Sequence, residues 1–588
     1  MSKNSLTLPF NQKIAGRQMK QYNLGDIFFF SFMALVGYGL FLWTTPLFDW
    51  DEINFAESAR EMIASGNYFQ VQINFQPFWE KPPLFFWMQV LAMKAFGINE
   101  FAARFPNAVI GLCTILSLYF FGCRFKDRLF GRLLAALYMG ALLPSAYFKS
   151  GIIDPTFNFF IFMGLIHLFE FEIFQKQAPE LRPLDDYRPY SAGIFIGLAT
   201  LTKGPVAILV VALIYVIYKL LFNRSLPLSA WAKVIFACCV IIMGWFGMET
   251  MVHGTWFVET FFKYQIELFT KPVAEHGQPF YYHFVVFLAL CFPLSAFTFR
   301  AMFMRQERME DTHLHRFMVI WFWVVMILFS LSTTKIVHYS SLLYFPAAFL
   351  TALYLYKAIK YETRVAWETK AIFLLQALIL GILPACINAL ATHAQSLLQA
   401  VDAPDLGMIR IKTDIFTMGN LSMPVAWTGY EWLIGAIFLV GLIWNFRNLH
   451  LRRYISFVYL QMFLMLFFLN GLFAVILPKV ARYAQGSPMD FYAKLKGKDV
   501  YYLPANYKSY LPYFYGEVKP YENKNAYNPD WLITGEVDKD VYISTKNMLI
   551  NEEFQRYYHH FTKLYEEGGF VFFVRKVKKE PEKQVTSR

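Results

Sequence analysis

Long apolar runs decide what this chain can fold into. They lie at 27–45, 106–123, 129–149, 155–175, 190–202, 205–222, 231–249, 281–299, 317–332, 340–356, 371–391, 429–446 and 454–477. A helix of about 20 residues crosses the hydrocarbon core of a bilayer. The runs therefore predict an all-α polytopic membrane protein of about 13 spans, the short pair around Lys203 being the weakest. A content of 57% hydrophobic and 16% charged residues points the same way. The polar, basic start (Lys3, Lys13, Arg17, Lys20) precedes a run without a small-residue cleavage pattern, which favours a retained spanning helix over a signal peptide.

The net charge of +12 could suggest nucleic acid, but the basic residues fall in short clusters between apolar runs, with no basic, aromatic-interleaved motif. Alternate connections carry them, from Arg124, Lys126, Arg128 and Arg132 through Arg182, Arg305 and Arg308 to Arg447, Arg452 and Arg453. The positive-inside rule places that set in the cytoplasm. The 47–105 loop and the connections near 150–154, 203, 250–280, 333–339 and 392–428 are then on the outer side. The six cysteines lie in or beside apolar runs without metal spacing and read as packing residues.

After 477 the chain changes character. Strand-like runs at 500–503, 531–534, 541–544 and 570–574 alternate with Pro, Asn, Gly and charge, which reads as a soluble α/β domain. The expected division is a membrane domain over 1–480 and a small outer domain over 481–588.

The stretch 49–87 is the focus of the outer face. Ile53, Ala56, Ala59 or Arg60, and Met62 recur at helical spacing, predicting an amphipathic helix in the interface plane with Glu57, Arg60 and Glu61 on its polar face. Asp49 and Glu52 fit an N-cap and its reciprocal partner, a purely structural role. Asp51 is not needed for the cap, and a carboxylate at the apolar boundary suits a base.

Ionisable groups at span ends ask for an explanation. Asp154 could cap the following span, Lys203 could snorkel to the interface, and Lys335, His338 and Tyr339 could each be interfacial anchors. Yet Asp51, Glu80, Lys81, Asp154, Lys203, Lys335 and Tyr339 converge on one face. Cations with carboxylates at a lipid boundary suit a phosphate on a lipid carrier with a group to transfer. Reading D-W-D as a nucleotide-sugar metal motif is disfavoured outside the cytoplasm, where such donors are normally absent. No cofactor is required; Glu80 with His276 would make a minimal divalent-metal site.

At these residues the sequence resembles the C-type, lipid-carrier-dependent glycosyltransferases, closest to the branch of bacterial lipid A aminoarabinose transferases and protein O-mannosyltransferases. The matching features are D-E-I-N-F-A-E-S-A-R-E-M-I-A-S-G, W-E-K-P-P, N-E-F-A-A-R-F-P, L-T-K-G-P, E-H-G-Q-P-F-Y-Y and T-K-I-V-H-Y, over roughly 27–477. The resemblance implies Asp51 as catalytic carboxylate, with Lys81 and Tyr339 on the donor phosphate. It gives Asp154 and Glu80 secondary roles; Lys203 and Lys335 join the phosphate set, with Glu52, Arg60, His276 and His338 in support. Gln265 and Leu268 stand where the aminoarabinose enzymes have His and Arg, and Asn54 replaces a usual arginine. The expectation is a bacterial inner-membrane enzyme with a periplasmic site, moving a sugar from a polyprenyl phosphate to a lipid acceptor, lipid A foremost. Transfer to protein or surface polysaccharide is the rival enzyme reading, and a lipid-linked sugar transporter or flippase the rival from another class. The charges gather at one face without repeated halves, which is unlike transporter sites at the bilayer midplane.

Overall fold

The computed structural model describes residues 22–177, 186–222, 228–271, 277–304, 309–393 and 414–577. His276, Arg182, Arg305, Arg308 and the basic N-terminal residues 1–21 lie outside them. Among the described residues, seven helices are long and apolar enough to cross a membrane: Glu100–Phe125, Leu228–His253, Thr312–Leu331, Ser341–Lys360, Trp367–Thr392, Trp432–His450 and Tyr454–Ala493. The pair Tyr282–Leu290 and Leu294–Met302, bent by 115°, makes an eighth if it is one span. The protein is a multi-pass helical membrane protein. Several remaining runs form shorter or more polar helices. The 129–149 run breaks at Gly140 into Arg128–Met139 and Leu142–Tyr147, and Asp154–Gln177 carries acids at Asp154, Glu170 and Glu172.

Local chemistry sets the helix ends. Asn99 accepts from the Ala102 amide at 2.9 Å and Asp127 from the Phe130 amide at 2.9 Å, so each caps the helix that follows. Helices Glu100–Phe125 and Arg128–Met139 then pack backbone to backbone: a Cβ on Gly122 would lie 2.6 Å from the Gly131 Cα. With 26 residues at about 1.5 Å each, Glu100–Phe125 is roughly 39 Å long and joins two ends of the bundle. Its first turn holds the site described below. Beyond its last turn, Asp26 binds Arg128 and Arg132, both at 2.6 Å, which gathers basic residues at the opposite end.

Helix Tyr454–Ala493 carries the chain into the C-terminal region. There β3 (Tyr501–Pro504), β4 (Val541–Lys546), β6 (Phe570–Arg575) and β5 (Thr562–Glu567) form a mixed sheet in the order β3-β4-β6-β5. β3 and β4 are parallel in register Tyr501↔Val541, and β4 and β6 are antiparallel with Lys546↔Phe570. The expected strand at 531–534 is instead the helix Pro529–Thr534: Asn528 caps it by accepting from the Asp530 amide, and Pro529 fixes its first φ. Strand β5, whose side chains are mostly exposed, gave no alternating apolar signal.

The opening loop differs most from expectation. Its helix, Asp51–Ser65, is buried on nearly every side rather than lying on the lipid surface. Glu57, Arg60 and Glu61 are buried because the chain covers them. Arg60 pairs with Glu57 at 2.7 Å and donates to the Val518 carbonyl, and Glu61 accepts the Asn74 and Phe75 amides at 2.6 and 2.7 Å. Those two amides belong to the hairpin of β1 (Gln72–Ile73) and β2 (Gln76–Pro77). Asp49 is not the cap either. Trp50 precedes the helix, and the Asp49 carboxylate turns to the C-terminal region, accepting from Ser509 Oγ at 2.6 Å and the Tyr510 amide at 3.1 Å.

Candidate active site

Antiparallel helix packing builds the floor of the site. Asp154 opens helix Asp154–Gln177 and Lys203 closes helix Arg188–Lys203, and the two helices pack side by side. An N-terminus favours a carboxylate and a C-terminus a cation, so both charges are matched to their helix ends. The hairpin arrangement puts those ends together, with Lys203 Nζ 2.5 Å from Asp154 Oδ1. Gly204, at φ +97°, turns the chain away immediately afterwards, a conformation that favours glycine.

Asp51 enters from the loop side. Its neighbour Glu52 is a structural anchor: both oxygens accept from Arg104 at 2.8 Å, and they also accept the Phe48 amide at 2.9 Å and the Gly151 amide at 2.6 Å. Arg104, fully buried, gives its other donors to the carbonyls of Leu42, Thr45 and Pro46. This knot fixes the loop against the first turn of Glu100–Phe125. Trp50 holds φ 81°, a strained conformation for a non-glycine residue costing on the order of 1–3 kcal/mol. Asp51 then faces His338, whose Nε2 lies 3.4 Å from Asp51 Oδ2 and 3.6 Å from Asp154 Oδ2.

The cleft is about 380 Å³ and is lined by Asp51, Glu80, Lys81, Asp154, Lys203, His338 and Tyr339. Asp51 is crowded by protein yet keeps 38% of its side chain open to this space. Burial pushes its carboxyl up, but the hydrogen bond and charge of His338, with Lys81 and Lys203, outweigh that and hold it below the usual range. Burial pulls the Lys81 ammonium down, only partly offset by Glu80 and Asp51. Burial first, then Asp51, Asp154 and Glu80, raise the Tyr339 phenol, so it remains a neutral O–H donor. Lys203 Nζ lies 4.6 Å from the Tyr339 ring centroid, and Lys81 Nζ 5.4 Å from that of Tyr264, whose hydroxyl donates to Glu80 at 2.9 Å. Lys203 is paired with Asp154; among the described residues Lys81 makes no ion pair or hydrogen bond.

The structure thus brings together Asp51, Asp154, Lys81, Lys203, Tyr339, Glu80 and His338, with Glu52 in the wall. Lys335 is not among them. It turns from the cleft to donate to the carbonyls of Ser332 and Gln278 at 2.5 and 2.9 Å, satisfying its ammonium where it is buried. Arg60 also misses the cleft, held by Glu57 and Val518. Glu80 is engaged by Tyr264, His276 lies outside the described residues, and among those residues no three His, Cys, Asp or Glu side chains gather as metal ligands. Gln265 lines a side pocket with Lys81, Lys203 and Tyr339, and Asn54 lines the main cleft. Tyr264, Lys508 and Tyr510 also line the cleft and were missed from sequence. Lys508 and Tyr510 arrive from the C-terminal region, some 460 residues away from Asp51, so no local pattern could mark them.

Comparison with known proteins bears out the resemblance read from the motifs. Residues 80–245 match the family model of dolichyl-phosphate-mannose-protein mannosyltransferases. An uncharacterized protein of Aquifex aeolicus (strain VF5) is 27% identical over 313 residues, covering 52% of this chain and 59% of that protein. The undecaprenyl phosphate-alpha-4-amino-4-deoxy-L-arabinose arabinosyl transferase of Wigglesworthia glossinidia brevipalpis is 23% identical over 310 residues, covering 51% of this chain and 53% of that one. The alignments therefore span only 53% and 59% of these two relatives. In fold the agreement extends further. The crystal structure of ArnT from Cupriavidus metallidurans bound to undecaprenyl phosphate superposes with a TM-score of 0.70 at 17% identity, covering 95% of this chain and 100% of that one. The chain has that fold.

Proposed function

We propose that this protein is a membrane glycosyltransferase that moves a sugar from a polyprenyl phosphate to a lipid acceptor, lipid A foremost, at the periplasmic face of a bacterial inner membrane. The observation that carries the reading is that one cleft is lined by both Asp51 and Lys81, a lysine that has no ion-pair partner among the described residues. The named activity of the Wigglesworthia relative and the undecaprenyl phosphate in the Cupriavidus structure support the donor class.

In this mechanism the acceptor oxygen attacks the anomeric carbon of the donor sugar. The bond from that carbon to the phosphate oxygen breaks, and the polyprenyl phosphate leaves with the electron pair. Lys81 and the Tyr339 hydroxyl stabilise the charge gathering on the leaving phosphate. Asp51 takes the proton of an acceptor hydroxyl, or, for an acceptor phosphate already ionised, orients it. His338 lies between the two carboxylates, its Nε2 3.4 Å from Asp51 Oδ2 and 3.6 Å from Asp154 Oδ2, where it can orient Asp51. Transfer to protein is the second reading, favoured by the protein-mannosyltransferase family match.

The test is to supply purified protein with radiolabelled undecaprenyl-phosphate sugars and lipid A. Labelled lipid A with matching release of undecaprenyl phosphate is the expected result. Label in a peptide acceptor alone would favour the second reading, and no transfer to any acceptor would overturn both.

A further inference from the structure

The Asp49 carboxylate reaches away from the cleft, yet it lies two residues from the proposed base. Ser509 Oγ donates to its Oδ2 at 2.6 Å and the Tyr510 amide to its Oδ1 at 3.1 Å. The same carboxylate accepts the Trp50 amide at 2.9 Å. Gln485 completes the clasp, accepting the Asp49 amide at 3.0 Å and donating to the Leu47 carbonyl at 2.6 Å. Tyr515 adds a bond from the Leu47 amide at 3.0 Å. Between this clasp and the helix lies Trp50 at φ 81°. A positive φ at tryptophan persists only where its surroundings over-determine it, and every tie named here except the Trp50 amide's own comes from residues 485–515. The segment also brings Lys508 to the cleft, its Nζ 5.5 Å from the Trp50 and Tyr510 rings.

We propose that Asp49 is a positioning residue: gripped by Ser509 and Tyr510 of the C-terminal region, it holds Trp50 at positive φ and so aims Asp51 into the cleft toward His338. The C-terminal region is then a working part of the site, not an appendage to it. This rests on the reading of Asp51 as the acceptor-facing carboxylate. It predicts that loosening the clasp moves Asp51 away from the groups that face it: His338 from the 332–340 loop, Lys81 and Glu80 from the 78–83 loop, Lys203 and Asp154 from the two helix ends.

The test uses full-length protein in detergent with Asp49→Asn, Ser509→Ala and the conservative Ser509→Thr, undecaprenyl-phosphate sugar as donor and lipid A as acceptor. Small misplacement of a reacting group can cost up to about 10²-fold in rate. The first two variants should lose about that in kcat while donor Kd stays within about twofold, and Ser509→Thr should recover most of it. The protonation of Asp51 is followed separately by infrared difference spectra against an Asp51→Asn background. In the wild type the carboxylate band should persist below the usual aspartate range of about 4, and in Asp49→Asn the band should protonate nearer that value. A lost kcat with an unmoved Asp51 band, or an unchanged kcat in both variants, overturns the proposal. A moved band in protein that transfers no sugar keeps the positioning and removes the assigned reaction, so the two failures are distinguishable.

Discussion

Lys203 is held 2.5 Å from Asp154 while Lys81, in the same cleft, has no carboxylate within pairing distance among the described residues. The two lysines therefore do different work. Lys203 balances a buried carboxylate, and Lys81 is the cation that the proposed function assigns to an incoming phosphate.

Removing Lys81 should act on the donor. Lys81→Ala is expected to weaken undecaprenyl-phosphate binding by about 1.5–3 kcal/mol, the range for hydrogen bonds to charged groups, and Lys81→Arg by less. Equal donor affinity in wild type and Lys81→Ala, measured by calorimetry, would return Lys81 to packing. Lys203→Ala takes the nearer of its two basic partners from the buried Asp154 and leaves only His338 at 3.6 Å, so it should instead destabilise, by at most about 3–5 kcal/mol, seen as a lowered Tm.

Asp51→Asn keeps the shape and removes the basicity. With a hydroxyl acceptor, kcat should fall by roughly 10²–10⁴-fold with donor affinity nearly intact. With an anionic acceptor phosphate the loss is smaller, and Asp51→Glu retains partial activity. Wild-type turnover in Asp51→Asn would take Asp51 out of the mechanism.

Burial depresses Lys81, so it loses its proton as pH rises before an ordinary lysine near 10.4 does. Its attraction for a phosphate weakens as pH rises, earlier than that of an ordinary lysine. Donor Kd should therefore rise with pH beginning below about 10, and Lys81→Arg should abolish that limb because guanidinium stays charged. A limb unchanged in Lys81→Arg assigns it to another group.

Glu52 lines the cleft but both its oxygens are occupied by Arg104 and backbone amides. Glu52→Gln leaves the fully buried Arg104 without its counter-charge, at a cost of about 3–5 kcal/mol. The expected result is a lowered Tm and reduced yield, with the surviving fraction still binding donor. A stable Glu52→Gln protein with abolished turnover would make Glu52 part of the chemistry.

Topology is tested by reporters. A fusion after Lys498, in the turn before β3, should report the periplasm, and one after Lys126, beside the Asp26–Arg128–Arg132 cluster, the cytoplasm. Both reporters on one side would break the assignment of the site to the outer face.

The sequence by itself determined where the long apolar helices lie, though not all of their ends: the 129–149 run breaks at Gly140, and 531–534 is helix where a strand was expected. Apolar runs long enough for a bilayer have few alternatives, because an unpaired backbone in lipid is too costly. It also placed Asp51, Lys81, Asp154, Lys203, His338 and Tyr339 at breaks between those runs, where charge can meet water. Only the tertiary structure decided which of those groups pair. Asp154 and Lys203 are 49 residues apart, and Asp49 and Ser509 are 460 apart, and periodicity carries no information over such distances. The same limit explains the helix Asp51–Ser65: its spacing marks an amphipathic helix, but burial of Glu57, Arg60 and Glu61 depends on the hairpin and Val518 that cover them. Lys335 and Lys508 exchanged places for the same reason. A lysine's long, rotatable stem lets local carbonyls or a distant cleft claim its ammonium, and that choice is made by the packing of elements far apart in the chain.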